Sequence, residues 1–305
     1  MPQTVTLVHA PIGGRAALLP EVERVVAEAA RGTLGEGVTN AYAGVGDGML
    51  TVVLLHDAGE GDPDVHRAAW SALDAGCSAA KSLGVPGLGH GLPVDAIAGT
   101  LRGSGISYAE LVLTERPSGP IVALLTSGAS LGALNVPLAR AFTDAFATPG
   151  LLGERLRRGF IFEVHDLEEP RKRMFAAPAE LYDLLGCLAR PERFALKSIV
   201  TAEGAVAAVA SSARRSDVIA DAEDDSPIAL VRTGDDAPDL DGLVAAFTAT
   251  DGAPAVRGIA FHLGRDRLLG PVEVIATAGG QGDGTLARQA RREPLELDAS
   301  RWSER

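Results

Sequence analysis

The sequence predicts a single α/β domain. Strand-like apolar runs alternate with helical periodicities along the chain, no Pro- or Ser-rich linker divides it, and no fixed-period repeat is visible. With 305 residues, 46% of them hydrophobic, the chain has enough apolar surface to bury a large core.

Thr4 to Val8 is a β-type run ended by Pro11 and Gly13-Gly14, a strand followed by a turn. Pro20 to Arg31 repeats Val22, Val25, Val26 and Ala29 at helical spacing, with proline at its start. Met49 to His56 is a second strand, and its nearly continuous apolar run implies burial on both faces. After a loop rich in Gly, Asp and Pro comes the longest helix, Val65 to Leu83. Ala109 to Thr114 and Pro120 to Thr126 read as consecutive strands joined at Arg116 to Gly119, and a hairpin is the economical reading. Further strands are Phe160 to His165, Phe194 to Ile199, Ala205 to Ala210 and Pro227 to Val231, with a helix from Pro178 to Leu188. Ile259 to Leu263 and Val272 to Ala276 form a last pair around Gly270-Pro271. The folded domain is therefore expected over residues 1–277, and the Gly-, Arg- and Glu-rich stretch 278–305 reads as a poorly ordered tail.

A net charge of −12 argues against nucleic acid or an anionic membrane as partner, because phosphate backbones demand clustered Lys and Arg. No run approaches the apolar length of a spanning helix, and a cytoplasmic location is expected. Cys77 and Cys187 sit in apolar helical contexts without CxxC spacing, so each reads as a buried reduced thiol. Only three lysines occur, and Lys197 reads as an exposed strand position.

Several short stretches occur in a family's order: VGDG at 45–48, VHRAAW at 65–70, ERPSGPI at 115–121, GALNVPLARAF at 132–142, ATPGLL at 147–152, GFIFEV at 159–164, APAELYDLLG at 177–186, PIALVR at 227–232 and GRDRLLGP at 264–271. As a series the sequence resembles the fructose-1,6-bisphosphate aldolase/phosphatase family. The resemblance implies a layered α-β-β-α sandwich, a homo-oligomer, and a chemistry of magnesium ions on carboxylates plus a lysine imine assisted by tyrosine.

Compared with that pattern, residues are missing. The carboxylate of an ADIG-like motif falls on Pro11 of Ala10-Pro11-Ile12-Gly13, and the paired aspartates of a GDD motif become Gly46-Asp47-Gly48. A Tyr and a Gln become Pro86 and His90, an Asp-Lys pair becomes Ser127-Gly128, and the imine lysine of a Lys-Asp-Asp triplet becomes Glu223, followed by Asp224 and Asp225.

Among the residues that remain, His90 stands in a Gly-rich loop and titrates near neutrality. Asp47 reads either as a turn residue or as a general base, and Asp224 and Asp225 either as a solvated acidic loop or as part of the site. These four are the expected catalytic residues, with His9, Tyr42 and Ser127 as substrate contacts and no metal ligand. The resulting expectation is a repurposed, metal-independent enzyme of lyase, isomerase or cyclase type acting on a small molecule, without cofactor. The alternatives are a retained Mg²⁺-dependent sugar-bisphosphate phosphatase and a non-catalytic binding subunit.

Overall fold

The computed structural model describes residues 2–12, 18–34, 40–85, 106–115, 117–126, 129–211, 226–248, 254–264, 267–277 and 303–304. Four strands, β1 (Gln3–Pro11), β2 (Asn40–Gly46), β3 (Met49–His56) and β4 (Ser107–Leu113), form one sheet in the order β2-β3-β1-β4, antiparallel throughout. The helices α1 (Pro20–Gly32) and α2 (Pro63–Ser82) cover its outer face. Every residue of β3 is buried, as its nearly continuous apolar run implies.

The second sheet is larger. It joins β5 (Ile121–Thr126), β6 (Phe160–Asp166), β7 (Arg171–Ala177), β8 (Phe194–Thr201), β9 (Val206–Ala210), β10 (Ile228–Arg232), β11 (Val256–Leu263), β12 (Leu268–Thr277) and the short β13 (Ser303–Glu304) in the order β12-β11-β5-β10-β9-β8-β6-β7-β13. The helices α3 (Asn135–Thr143), α4 (Leu181–Leu188) and α5 (Leu240–Thr248) pack on its outer face through Phe142, Leu188 and Phe247. A third apolar layer lies between the sheets, with Leu7, Val53 and Leu111 meeting Ala123, Leu230 and Phe261. The period of two in each strand produces this order, because odd residues of β1 face the other sheet while Val8 and Ala10 face the helices. The result is the expected α-β-β-α sandwich.

Three local expectations change. β4 and β5 are not a hairpin: β4 pairs β1 in the first sheet and β5 pairs β10 and β11 in the second, so their connection carries the chain between layers. The β11–β12 connection lies at Gly264–Arg267, where Gly264 N–H donates to the Arg267 carbonyl at 2.7 Å, and Gly270-Pro271 falls inside β12. Lys197 is half-buried rather than exposed, with its ammonium donating to the Ala210 carbonyl at 3.2 Å. Burial lowers its pKa. Cys77 and Cys187 are free and buried, and burial pushes both thiols up to about 11. Among the described residues no helix is long and apolar enough to cross a membrane.

Candidate functional site

A cavity of about 470 Å³ opens where the ends of both sheets meet. Its walls include His9 from β1, Asp47 from the β2–β3 turn, Thr51 from β3, Thr126 from the end of β5, Arg257 from β11 and Glu273 from β12.

His9 stands on the sheet-facing side of β1, opposite Thr51 in the antiparallel register. It is 3% exposed. Nε2 lies 3.2 Å from the Thr126 carbonyl, which only accepts, so Nε2 carries the proton. In the neutral ring Nδ1 then accepts from the Thr51 hydroxyl at 2.9 Å. Burial, aided by the positive charge of Arg257 and opposed by the Thr126 bond, lowers the pKa from 6.5 to about 4. Both nitrogens are committed, and the imidazole links the two sheets as a neutral group. Thr126 is itself anchored, its hydroxyl donating to the Pro227 carbonyl at 2.7 Å.

Asp47 and Gly48 are the two central residues of the β2–β3 hairpin, since Gly46 pairs with Met49. Both have positive φ, 54° and 72°, the geometry of a type I′ turn that Asp-Gly favours. The N–H of Ile12 donates to the Gly48 carbonyl at 3.0 Å, fixing the turn against the end of β1. Asp47 is therefore both a turn residue and part of the cavity wall.

Tyr42, Gly44 and Gly46 share the sheet-facing side of β2. A β-carbon at Gly44 would collide with the Tyr42 hydroxyl, and one at Gly46 with Nη1 of Arg257. The Tyr42 ring packs on Phe261 with centroids 5.4 Å apart, and Tyr42 is not among the cavity-lining residues. Burial raises its pKa.

Of the seven residues singled out in the sequence, the structure brings His9 and Asp47 to one cavity, whereas Tyr42 packs on Phe261 outside its lining. His90, Ser127, Asp224 and Asp225 lie outside the described residues. Sequence reasoning missed Arg257, Glu273 and Glu23, which also line the cavity. Arg257 Nε donates to Glu273 Oε2 at 2.8 Å across β11 and β12, a pairing of residues 16 apart that no local motif announces.

A second buried polar group lies on the helix-covered face of the first sheet. Glu110 accepts from the Thr6 hydroxyl at 2.9 Å, from Gly61 N–H at 2.8 Å and from His66 Nε2 at 3.0 Å. Burial raises its pKa, but the bonds from His66, Gly61 and Thr6 outweigh it and the net shift is downward. Glu110 holds α2 to the sheet and is remote from the cavity wall.

The family model for fructose-1,6-bisphosphatase matches residues 3–251. A protein of Ignicoccus hospitalis named fructose-1,6-bisphosphate aldolase/phosphatase is 35% identical over 257 residues, 80% of this chain and 65% of its own length. Proteins of the same name from Sulfurisphaera tokodaii and Moorella thermoacetica are 30% and 29% identical, over 90% and 88% of this chain and 80% and 79% of their own. The chain thus spans just under two thirds of the first relative and about four fifths of the other two. On this evidence the chain belongs to the fructose-1,6-bisphosphatase family.

Proposed function

We propose that the chain is a magnesium-dependent phosphatase that hydrolyses a phosphate ester of fructose-1,6-bisphosphate or a close sugar phosphate in the cavity beside His9 and Asp47. One observation carries the reading. The end of β1, the Asp47-Gly48 turn and the end of β5, three places to which the resemblance assigns site chemistry, border one and the same cavity.

Two expectations are corrected. The family match over residues 3–251 and the relatives named aldolase/phosphatase overturn a metal-independent lyase, isomerase or cyclase. The expectation of no cofactor falls with it, because membership of the family brings back the magnesium chemistry that the resemblance implies.

Glu23, Asp47 and Glu273 bring to the wall the carboxylate oxygens that a hard cation takes. Among the described residues, however, no three His, Cys, Asp or Glu side chains come together closely enough to hold an ion. The described residues do not fit magnesium by themselves, and the roles of the chain's own groups follow without it. Asp47, on a rigid turn, presents a carboxylate able to accept a hydrogen bond from the attacking water. That water adds to phosphorus as the ester P–O bond breaks, and the proton it gives up passes by way of the Asp47 carboxylate to the departing sugar oxygen. His9 does not act as the base, since its free lone pair is occupied by Thr51 and its pKa is about 4. It positions Thr51 and the end of β5.

Purified protein given fructose-1,6-bisphosphate should release inorganic phosphate when Mg²⁺ is present and stop when the metal is chelated. No release at any Mg²⁺ concentration overturns the reading.

A further inference from the structure

The geometry points to Arg257 as the phosphate anchor of this cavity, the residue that sets affinity for the phosphorylated end of the substrate; the inference rests on the phosphatase reading. Three carboxylates, Glu23, Asp47 and Glu273, line the cavity with His9 neutral, and Arg257 is the only cationic side chain among the described lining residues. A phosphate dianion entering a wall rich in carboxylate needs a fixed positive partner, and among the described lining residues the guanidinium, ion-paired through Nε with Glu273, is the one cation.

Its placement suits the task. Arg257 is the second residue of β11, and its neighbour Val256 pairs with Thr126, so the side chain leaves the sheet beside the end of β5. Glu273 Oε2 accepts from Nε at 2.8 Å and sets the direction of the side chain from the adjacent strand. Nη1 rests against Gly46, where the missing β-carbon leaves the room it occupies. Among the described residues the Nε–Glu273 bond is the guanidinium's only hydrogen bond, which leaves both terminal nitrogens for phosphate oxygens. The planar fork of arginine matches two non-bridging oxygens of a phosphate, which a lysine ammonium does not. The side chain is 39% exposed, so it is reachable from solvent.

The test compares wild type with Arg257→Gln, Arg257→Lys and Gly46→Ala in two readouts: steady-state phosphate release from fructose-1,6-bisphosphate with Mg²⁺, and calorimetric titration with the same compound. Loss of one charged bidentate contact is expected to raise KM about ten- to a hundredfold in Arg257→Gln, with kcat changed less. Arg257→Lys should recover part of the affinity. Gly46→Ala, which keeps the arginine but puts a methyl group in the place of Nη1, should raise KM in the same direction. Unchanged melting temperatures confirm that the effect is local. If wild type turns over and Arg257→Gln keeps its KM, the anchor is wrong while the phosphatase reading stands. If wild type binds the bisphosphate without hydrolysing it, the phosphatase reading fails, and loss of that binding in Arg257→Gln still upholds the anchor. Equal binding by both proteins, or by neither, overturns it.

Discussion

His9 donates through Nε2 to the carbonyl of Thr126, so one buried imidazole ties the end of a strand in the first sheet to the end of a strand in the second. Its other nitrogen holds Thr51. The cavity wall at this point is thus fixed by a hydrogen-bonded chain that runs from Thr51 through His9 and Thr126 to the Pro227 carbonyl.

Stability should fall as the solution is acidified from about pH 6.5 to about pH 4. The folded state keeps His9 neutral down to about 4 whereas the unfolded chain takes up a proton near 6.5, so the unfolded state binds more protons throughout that window. The shift corresponds to roughly 3 kcal/mol by the linkage relation. Burial lowers the pKa of His56 as well, which adds to the same trend. His9→Gln should lose about 1–3 kcal/mol at pH 7, because the contact with Thr51 is disturbed, and should show a shallower decline toward pH 4. Thermal melts across the pH range read both effects; equal slopes in the two proteins would remove His9 as their source.

Asp47 separates a turn role from a chemical one. Asp47→Asn keeps a residue that accepts positive φ before glycine, so its unfolding free energy should stay within about 0.5 kcal/mol of wild type. Phosphate release should nonetheless fall by about a hundredfold or more with the carboxylate gone. Asp47→Ala should lose activity and, in addition, about 1 kcal/mol of stability, since alanine is strained at φ 54°. Full activity in Asp47→Asn would confine the residue to its turn.

Glu110 offers the opposite pattern. Its carboxylate accepts from Thr6, Gly61 and His66 in a buried setting, so Glu110→Ala removes three hydrogen bonds at once and should cost about 3 kcal/mol. KM for the sugar phosphate should be unaltered at temperatures where the variant is folded. Denaturant titration gives the first quantity and steady-state kinetics the second.

The sequence disclosed the frame better than the site. β1 and β3 were visible because β-branched and aliphatic residues run unbroken, and β3 is buried on both faces as expected. β2 was hidden by Gly44 and Gly46, which weaken a strand pattern but are required where Tyr42 and Arg257 approach the backbone. β7 was obscured by Arg171, Lys172 and Arg173, although Arg173 turns inward and stacks over the Phe175 ring at 4.2 Å. Turn chemistry at residues 116–119 marked a reversal without saying which sheet the next strand joins. At the site, Asp47 was legible from its flanking glycines, whereas Arg257 and Glu273 meet only through the pairing of β11 with β12. The functional reading erred for a related reason. The absent motif residues point to lost chemistry, but the family match spans most of the chain despite them.

The central claim is most directly tested by ³¹P NMR of fructose-1,6-bisphosphate incubated with the purified chain and Mg²⁺. Growth of an inorganic phosphate signal together with a fructose monophosphate, abolished by chelator and restored by added Mg²⁺, is the result this account predicts. An unchanged spectrum, or conversion of the bisphosphate with no inorganic phosphate released, would contradict it.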